Sequence, residues 1–382
     1  MRKLIYINII LLAFLISCNK DNTIIENDNH SININNNSEE LKLRIEYPQE
    51  IIEFETKSSK LSYTLVANIE PIQINGITLS ATGIANKGNH VYVCYHSRGA
   101  AIGGEVLSLD VSNPNEIIVL QSATSLSYEF NDVSISNDES KLWLCGNEET
   151  SGNVNAFAME LSMDMNIPNE EISWTKSIAA YSANSITPSV NGTGEFLWIS
   201  SGSNGGLDVF DQANPNDDAV FSFEANNCKH FSAGRDYGVI IVGVSSNLSI
   251  MRVFDLNSDF EYTDYEIPYD VTNLGKNGIH IDKSTAYLAM GDDGLVVFDL
   301  RDGLVTDVFK IDGPGNLNSV YAEKETLYLA YGSAGLYIVD KNTMTSLGNW
   351  QYDGSCNYVA VDHETIYIAN GNGDGFLVLQ KN

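Results

Sequence analysis

Seven segments of the sequence place a residue at the same point of a repeated pattern, just where an apolar, strand-like run begins. The seven residues are Thr82, Asn131, Asn184, Lys229, Asn277, Asn318 and Asn357. Asparagine is a poor strand former, so something other than propensity holds it at five of these positions. An amide side chain carries both a donor and an acceptor. The residues either bond to nearby backbone as the chain enters each strand, or form a polar ring that binds a ligand.

Charged residues in two turns could add to such a ring. His96 and Arg98 belong to the turn "YHSRG", and Glu148 belongs to the longer turn "NEETSGN" of the next repeat. If every first strand starts at one face, the second strand returns to that face, and these turns share it with the seven residues. Loops held on a rigid scaffold often carry function, so we expect these three residues at a ligand-binding face.

Motifs for metal binding, phosphate binding and nucleophilic catalysis are missing from the sequence. It contains no HExxH, GxSxG or P-loop, and its six histidines have no close metal-ligand spacing. Acidic Gly-rich turns such as "GDDG" do not match an EF-hand loop. We therefore predict no metal, no cofactor and no catalytic residue, although a pair of carboxylates from different repeats could still form an acid/base couple.

The repeat is a pair of alternating apolar runs joined by a turn, as in "LYLAYGSAGLYIVD". Its seven copies end at Asp110, Glu160, Asp211, Asp255, Asp299, Asp340 and Gln380. A period of roughly 40–50 residues without helical periodicity is typical of propeller blades of four antiparallel strands. The sequence thus predicts an all-β, seven-bladed β-propeller over residues 60–382. Its last copy stops after a third strand, so "KLSYTLVANIE" (60–70) is expected to supply the fourth and close the ring.

The segments "GLVVFD", "GLYIVD" and "GLDVFD", with "DVSNPN" and "DQANPN" after the third strand, resemble the LVIVD-repeat β-propeller proteins. The resemblance covers residues 82–382 and lacks the WD dipeptide of another propeller class. It implies a propeller and an exported protein, and it implies no chemistry.

Composition limits the partners. The chain of 382 residues has 21 Lys and Arg against 50 Asp and Glu, a formal charge of −29. Such a surface repels nucleic acid phosphates, so we predict no nucleic-acid partner.

The first residues resemble a bacterial lipoprotein signal. Arg2 and Lys3 precede a short apolar run that ends in "LISC", with Cys18 as its last residue. The run is too short to span a bilayer. We predict a signal peptide over residues 1–17, lipidation (palmitate) of Cys18, and a flexible Asn-rich tether over residues 18–59. The location predicted is the outer membrane, with the lipid as the membrane contact and the cell surface as an open alternative.

Two functions remain open at this stage. The first is a non-catalytic binding module, a monomeric propeller that engages a protein or glycan partner through the face with the asparagines. The second is a glycan-processing hydrolase or lyase that uses acidic residues around the channel mouth. A titratable cluster at that mouth would favour the second.

Overall fold

The computed structural model describes residues 31–55, 60–99, 101–150, 152–190, 194–202, 204–245, 247–271, 276–372 and 375–382. Within these residues the strands form seven antiparallel sheets of four or more strands, which are the blades of a seven-bladed β-propeller, as predicted, and one further two-stranded sheet. The predicted signal peptide and Cys18 lie outside the described residues.

Each blade runs from an innermost strand at the channel to an outermost strand at the rim. Blade 1 consists of Ser80–Lys87, His90–His96, Gly104–Asp110 and Ile118–Ser125, and blade 2 of Tyr128–Ile135, Lys141–Thr150, Asn153–Asp164 and Ile167–Ile178. Blade 3 consists of Ser185–Val190, Glu195–Ser200, Gly206–Asp211 and Phe221–Glu224, and blade 4 of Phe231–Ala233, Tyr237–Ser245, Leu248–Asp255 and Tyr262–Ile267. Blade 5 consists of Ile279–Asp282, Thr285–Ala289, Leu295–Asp299 and Leu304–Phe309, and blade 6 of Ser319–Glu323, Thr326–Ala330, Leu336–Asp340 and Thr345–Trp350. Blade 7 consists of Ser355–Asp362, Thr365–Gly371, Gly375–Lys381 and Lys60–Ile69.

In blades 2 to 6 burial falls from the second strand to the outermost strand, whereas the outermost strands of blades 1 and 7 are largely buried. In blade 6 the second strand Thr326–Ala330 is almost wholly buried, whereas in blade 5 the outermost strand Leu304–Phe309 is almost wholly exposed. The second strands are covered on both faces by neighbouring blades, which explains why they read as continuous apolar runs. The core therefore lies between blades, and it holds the channel-facing strands in fixed positions.

The aspartate that ends five of the repeats has a structural role. In blade 5, Asp299 accepts a hydrogen bond from the backbone N–H of Arg301 (2.8 Å), and in blade 6 Asp340 accepts one from Asn342 (3.0 Å). The same contact recurs in the third strands of blades 1, 3 and 4. Aspartate favours such turns because its carboxylate replaces a backbone acceptor. The repeated acid thus starts the turn to the outermost strand.

The ring closes as the sequence predicted. Strand Lys60–Ile69 pairs antiparallel with the last strand Gly375–Lys381, with Asn68 opposite Leu377 and Thr64 opposite Gln380. Blade 7 therefore joins both ends of the propeller and leaves its third strand no open edge.

Residues 31–55, the described part of the segment 18–59 that was predicted to be a flexible tether, are folded onto the propeller. Strand Asn33–Asn35 extends blade 1, helix Ser38–Leu41 follows with a single turn Lys42–Arg44, and strands Ile45–Glu46 and Glu50–Glu55 pair with Lys60–Ile69. A hairpin of Gln73–Ile74 and Ile77–Thr78 then leads into blade 1. The expectation of flexibility was wrong for residues 31–55, because Ile32, Leu41, Ile52 and Phe54 are buried against the blades.

A buried ion pair fastens this N-terminal segment. The Arg44 guanidinium donates to both carboxylate oxygens of Glu105 on blade 1, and Arg44 Nε donates to the carbonyl of Glu70 (2.9 Å). Glu105 is fully buried. The segment therefore bridges blades 1 and 7, the two blades that meet at the closure.

Candidate functional site

The seven positions identified in the sequence, hereafter the ring positions, lie where the innermost strands depart from regular pairing. Thr82, Asn131 and Asn357 are the extra residues of register shifts in blades 1, 2 and 7. Asn184, Asn277 and Asn318 stand one or two residues before their strands begin. A bulged or unpaired residue needs no strand propensity, which explains the asparagines.

Four of the ring side chains tie neighbouring blades together. The acceptor is the carbonyl of the residue just before the next ring position: Phe130 for Thr82 (2.9 Å), Ala183 for Asn131 (3.0 Å), Cys356 for Asn318 (3.1 Å) and Ala81 for Asn357 (2.9 Å). Asn277 instead donates to Ala289 of its own blade (3.2 Å) and has a positive φ of 54°. These side chains therefore bond to the backbone, which was one of the two predicted alternatives, and four of the bonds join neighbouring blades.

Asn131 also belongs to a polar cluster at the mouth of the channel. Its Nδ2 lies 2.9 Å from Oδ1 of Asn147 and 3.0 Å from the Ser182 hydroxyl. Its Oδ1 lies 3.2 Å from Nδ1 of His96, which places the proton of the neutral ring on Nδ1. Burial lowers the pKa of His96 to about 4, helped by the positive charge of Lys276, so the ring is neutral at pH 7. The His96 Nε2 is then a hydrogen-bond acceptor.

A cavity of about 570 Å³, here called the mouth cavity, opens at this end of the channel. Its wall comes from blades 1, 2, 3, 4, 5 and 7. The ring positions in it are Thr82, Asn131, Asn184 and Lys229. The turn residues His96, Ser97 and Arg98 line the same cavity, so the predicted sharing of one face by turns and ring positions holds for blade 1.

The deep end of the mouth cavity is formed by Asp132, His230, Lys276 and Tyr358, here called the channel cluster. Lys276, on blade 5, donates from Nζ to the carbonyl oxygen of Thr82 on blade 1 (2.6 Å), a contact across the channel. Asp132, His230 and Tyr358 also line a second cavity of about 460 Å³ towards the opposite mouth. These three residues therefore form the waist of the channel.

Burial shifts the titration of the acidic groups in this cavity. It raises the pKa of Asp132 to about 7, although the backbone N–H of Ile186 (3.0 Å) and the charge of Lys276 act in the opposite direction. It also raises the pKa of Glu129 to about 7, against a hydrogen bond from the Ser97 hydroxyl (2.7 Å). Burial lowers the pKa of Lys276 to about 8. Shifted pKa values of this kind are typical of functional sites.

Two polar atoms near the channel have no protein partner within the described ranges. Nδ1 of His230 is buried at the waist without a hydrogen bond, and so is Oδ1 of Asn277. Burial, with the charge of Lys276, lowers the pKa of His230 to about 4. A buried polar atom without a partner is costly, so a ligand or a water at the waist would satisfy it.

A side cavity of about 460 Å³ adjoins the mouth cavity and shares His96, Arg98 and Lys276 with it. Asn318 and Asn357 line this side cavity. The Arg98 guanidinium is exposed and donates to Oδ1 of Asn372 on blade 7. Six of the seven ring positions thus line one or other of these two adjoining cavities, and Asn277 lines neither of them.

Glu148 lies elsewhere, and its expected place at the ligand-binding face was wrong. The second strand of blade 2 continues to Thr150, which pairs with Asn153, so the expected long turn is a tight hairpin. Glu148 is buried within the blade and accepts a hydrogen bond from the Ser177 hydroxyl (2.5 Å). It lines none of the three cavities described above.

The channel cluster was missed from the sequence, although the repeat carries a signal for it. Lys276 stands one residue before a ring position, where the other six copies have Ala, Phe, Ala, Cys, Leu and Cys. Asp132, His230 and Tyr358 stand one residue after a ring position, where the other four copies have Gly or Ser. The departures from the repeat in these two columns identify the cluster.

In the described part of the chain, no helix is long and apolar enough to cross a bilayer. The same residues contain no group of three His, Cys, Asp or Glu side chains placed to hold a metal ion.

Comparison with known proteins adds no relative to this picture. No family model matches the chain, and no curated protein matches it. The fold is a seven-bladed propeller, and the resemblance to LVIVD-repeat proteins stays a prediction from the motifs.

Proposed function

We propose that this propeller is a non-catalytic binding module that takes a glycan in the mouth cavity. The observation that supports the proposal is a concave space of about 570 Å³ into which polar side chains from six blades converge. Cavities of roughly 300–1,000 Å³ with a few well-placed polar groups are typical of small-ligand sites.

The chemistry of the wall favours a ligand rich in hydroxyl groups. Asn147, Ser182 and Asn184 each combine donor and acceptor capacity, as hydroxyl groups do. The Asn184 Nδ2 has no hydrogen-bond partner among the residues described, and so remains a donor for a ligand. Tyr181 is 60% exposed at the rim and offers an aromatic face against which a sugar ring can pack.

The test is a glycan array followed by calorimetry, with the chain from Asn19 onward, which retains every described contact. Tyr181→Ala and Asn184→Ala should weaken binding at least tenfold without lowering the melting temperature. Asn318→Ala, at the blade 6–7 junction, serves as the comparison and should keep binding. If no glycan binds, or if the rim variants bind normally, the proposal is wrong.

A second candidate is a glycan-processing hydrolase or lyase. The specific observation in its favour is that burial raises the pKa of both Glu129 and Asp132 to about 7 within one cavity. Carboxyl groups that titrate near neutrality can act as general acids or bases. Product formation from a bound oligosaccharide, lost in Asp132→Asn or Glu129→Gln, would support it over simple binding.

We further propose that the protein is an exported lipoprotein anchored at the outer membrane through Cys18. Support comes from the signal-like run that ends in "LISC". Metabolic labelling with a palmitate analogue should mark the native chain and leave Cys18→Ser unlabelled. Protease treatment of intact cells then distinguishes a surface from a periplasmic orientation.

A further inference from the structure

The charge of the mouth cavity is opposite to that of the whole protein. The chain has only 21 Lys and Arg and a formal charge of −29, yet Arg98, Lys229 and Lys276 all line this one cavity. They come from three different blades, 1, 4 and 5. Lys229 has the Asp270 carboxylate as a neighbour, so Arg98 and Lys276 are the two cations that carry the argument. Two cations from separate blades at one cavity of so acidic a protein indicate an anionic ligand.

Lys276 has hydrogen-bonding capacity to spare. An ammonium group has three donors, and the one described partner of its Nζ is the Thr82 carbonyl. Asp132 is near enough to favour the charged form of the ammonium, although no direct ion pair joins the two among the described residues. The ammonium therefore keeps donors for a ligand group at the deep end of the cavity.

The acidic side chains that line the cavity do not cancel the charges of Arg98 and Lys276, whereas the charge of Lys229 has the Asp270 carboxylate as a neighbour. Burial raises the pKa of Glu129 and of Asp132 to about 7, so both are only partly ionised at neutral pH. His96 and His230 are neutral there because burial lowers the pKa of each to about 4. The cavity thus carries a positive excess at pH 7, and a bound anion would favour protonation of the two carboxyl groups.

We propose that the deep end of the mouth cavity is a carboxylate-binding subsite built on Lys276, so that its saccharide is acidic and carries a uronic acid. This inference rests on the proposed glycan-binding function. A carboxylate satisfies the ammonium donors as a charge-assisted acceptor. The amides and hydroxyls nearer the rim favour the remaining hydroxyl groups of a sugar over the apolar side chains of a peptide.

The test compares oligogalacturonate and oligoglucuronate with the same oligosaccharides after chemical reduction of the carboxyl to an alcohol. The linkages are identical, so only the carboxylate differs. The wild-type chain from Asn19 onward should bind at least one acidic oligosaccharide about 10- to 100-fold more tightly than its reduced form, as expected for one charge-assisted hydrogen-bonded contact. Lys276→Met should abolish the preference, so that the variant binds the acidic and the reduced oligosaccharides with equal affinity.

Lys87→Met is the matched control. Lys87 also donates its ammonium to a backbone carbonyl of another blade, that of Asn137, but it lines the cavity at the opposite mouth. It should keep the full preference. Arg98→Gln, whose side chain is exposed, should fold normally and reduce the preference in part, which keeps the inference testable if Lys276→Met does not fold.

The outcomes separate this inference from the proposed function. Equal binding of acidic and reduced oligosaccharides overturns the carboxylate subsite and leaves glycan binding standing. A preference that persists in Lys276→Met also overturns it. Binding of an acidic peptide but of no saccharide, or of no probe at all, overturns both.

Discussion

The Nζ of Lys276 lies 2.6 Å from the carbonyl oxygen of Thr82 and so joins the innermost strands of blades 5 and 1 across the channel. These blades are not neighbours in the ring, and the contact therefore spans open space between them. A cation held there also acts on Asp132, whose charged form it stabilises.

Lys276→Met should therefore raise the pKa of Asp132 above about 7. The ammonium at present lowers that pKa, so its removal leaves burial less opposed. Carbon-13 NMR of the Asp132 carboxyl during a pH titration measures the change. An unchanged or lower pKa in the variant would contradict the described electrostatics of the cluster.

Asp132 should make stability depend on pH. Its folded pKa of about 7 lies above the ordinary value, so its favourable contribution is complete below roughly pH 4 and is lost as the pH rises towards 7. Asp132→Asn keeps an acceptor for the Ile186 N–H and removes the ionisation. Relative to wild type, the variant should gain about 2–4 kcal/mol in free energy of unfolding between pH 4 and pH 8. Urea unfolding at both values measures this difference, and equal pH dependence in the two proteins would refute it.

The ring positions should separate into structural and ligand-binding members. Asn318→Ala removes the hydrogen bond to the Cys356 carbonyl, which keeps the N–H of Gly332 as a donor (3.0 Å). The expected loss is about 1 kcal/mol of unfolding free energy. Asn184→Ala should leave the free energy of unfolding almost unchanged, because its Nδ2 has no described partner and the Ser182 hydroxyl that donates to its Oδ1 keeps Oδ1 of Asn147 as an acceptor (2.9 Å). Thermal and urea unfolding of the two variants measure this difference. Equal losses of unfolding free energy would mean that Asn184 is structural as well.

The buried Arg44–Glu105 pair should be essential for the N-terminal segment. Arg44→Met leaves the Glu105 carboxylate buried without its cation, at a cost of about 3–5 kcal/mol. The double variant Arg44→Met, Glu105→Gln removes both charges and should recover part of that loss. Chemical denaturation of the wild type, the single variant and the double variant tests the coupling. A single variant as stable as wild type would show that the segment is not held by this pair.

The cysteines of the propeller should be unreactive in the native protein. Cys94, Cys145, Cys228 and Cys356 are buried, and burial raises the pKa of Cys94, Cys228 and Cys356 to about 12. The thiolate is the reactive species, so at pH 8 Ellman's reagent should modify these four thiols only after unfolding. One rapid equivalent without denaturant would contradict this.

Much of the fold could be predicted because the same two-strand pattern occurs seven times in the sequence. The spacing of the residues that end the seven copies predicted the blade count, and the strand-like run 60–70 predicted the closure. Residues 31–55 were misjudged because the Asn-rich composition of residues 19–40 favoured a tether, although the apolar residues of "LKLRIEY" (41–47) alternate as in a strand. Ile52 and Phe54 are recognisable as core residues only once the space between blades 6 and 7 that they fill is known.

The site was only partly predictable, for a related reason. Ring positions follow the repeat, so a search for regularity finds them. Lys276 and Asp132 depart from the repeat. They come close together only because the ring closes around the channel, and this proximity cannot be predicted from their spacing along the chain. Glu148 failed as a candidate because a polar stretch read as a loop is in fact paired strand.

The N-terminal segment also determines how the molecule responds to pulling. Tension applied ahead of residue 31 reaches Asn33–Asn35 first, a strand held by three residue pairs to the rim of blade 1. The load then meets the Arg44–Glu105 pair and the six residue pairs between Glu50–Glu55 and Lys60–Ile69. The strand that closes the ring is thus loaded last. Peeling of the outer strands lets the chain lengthen under force while the channel stays intact.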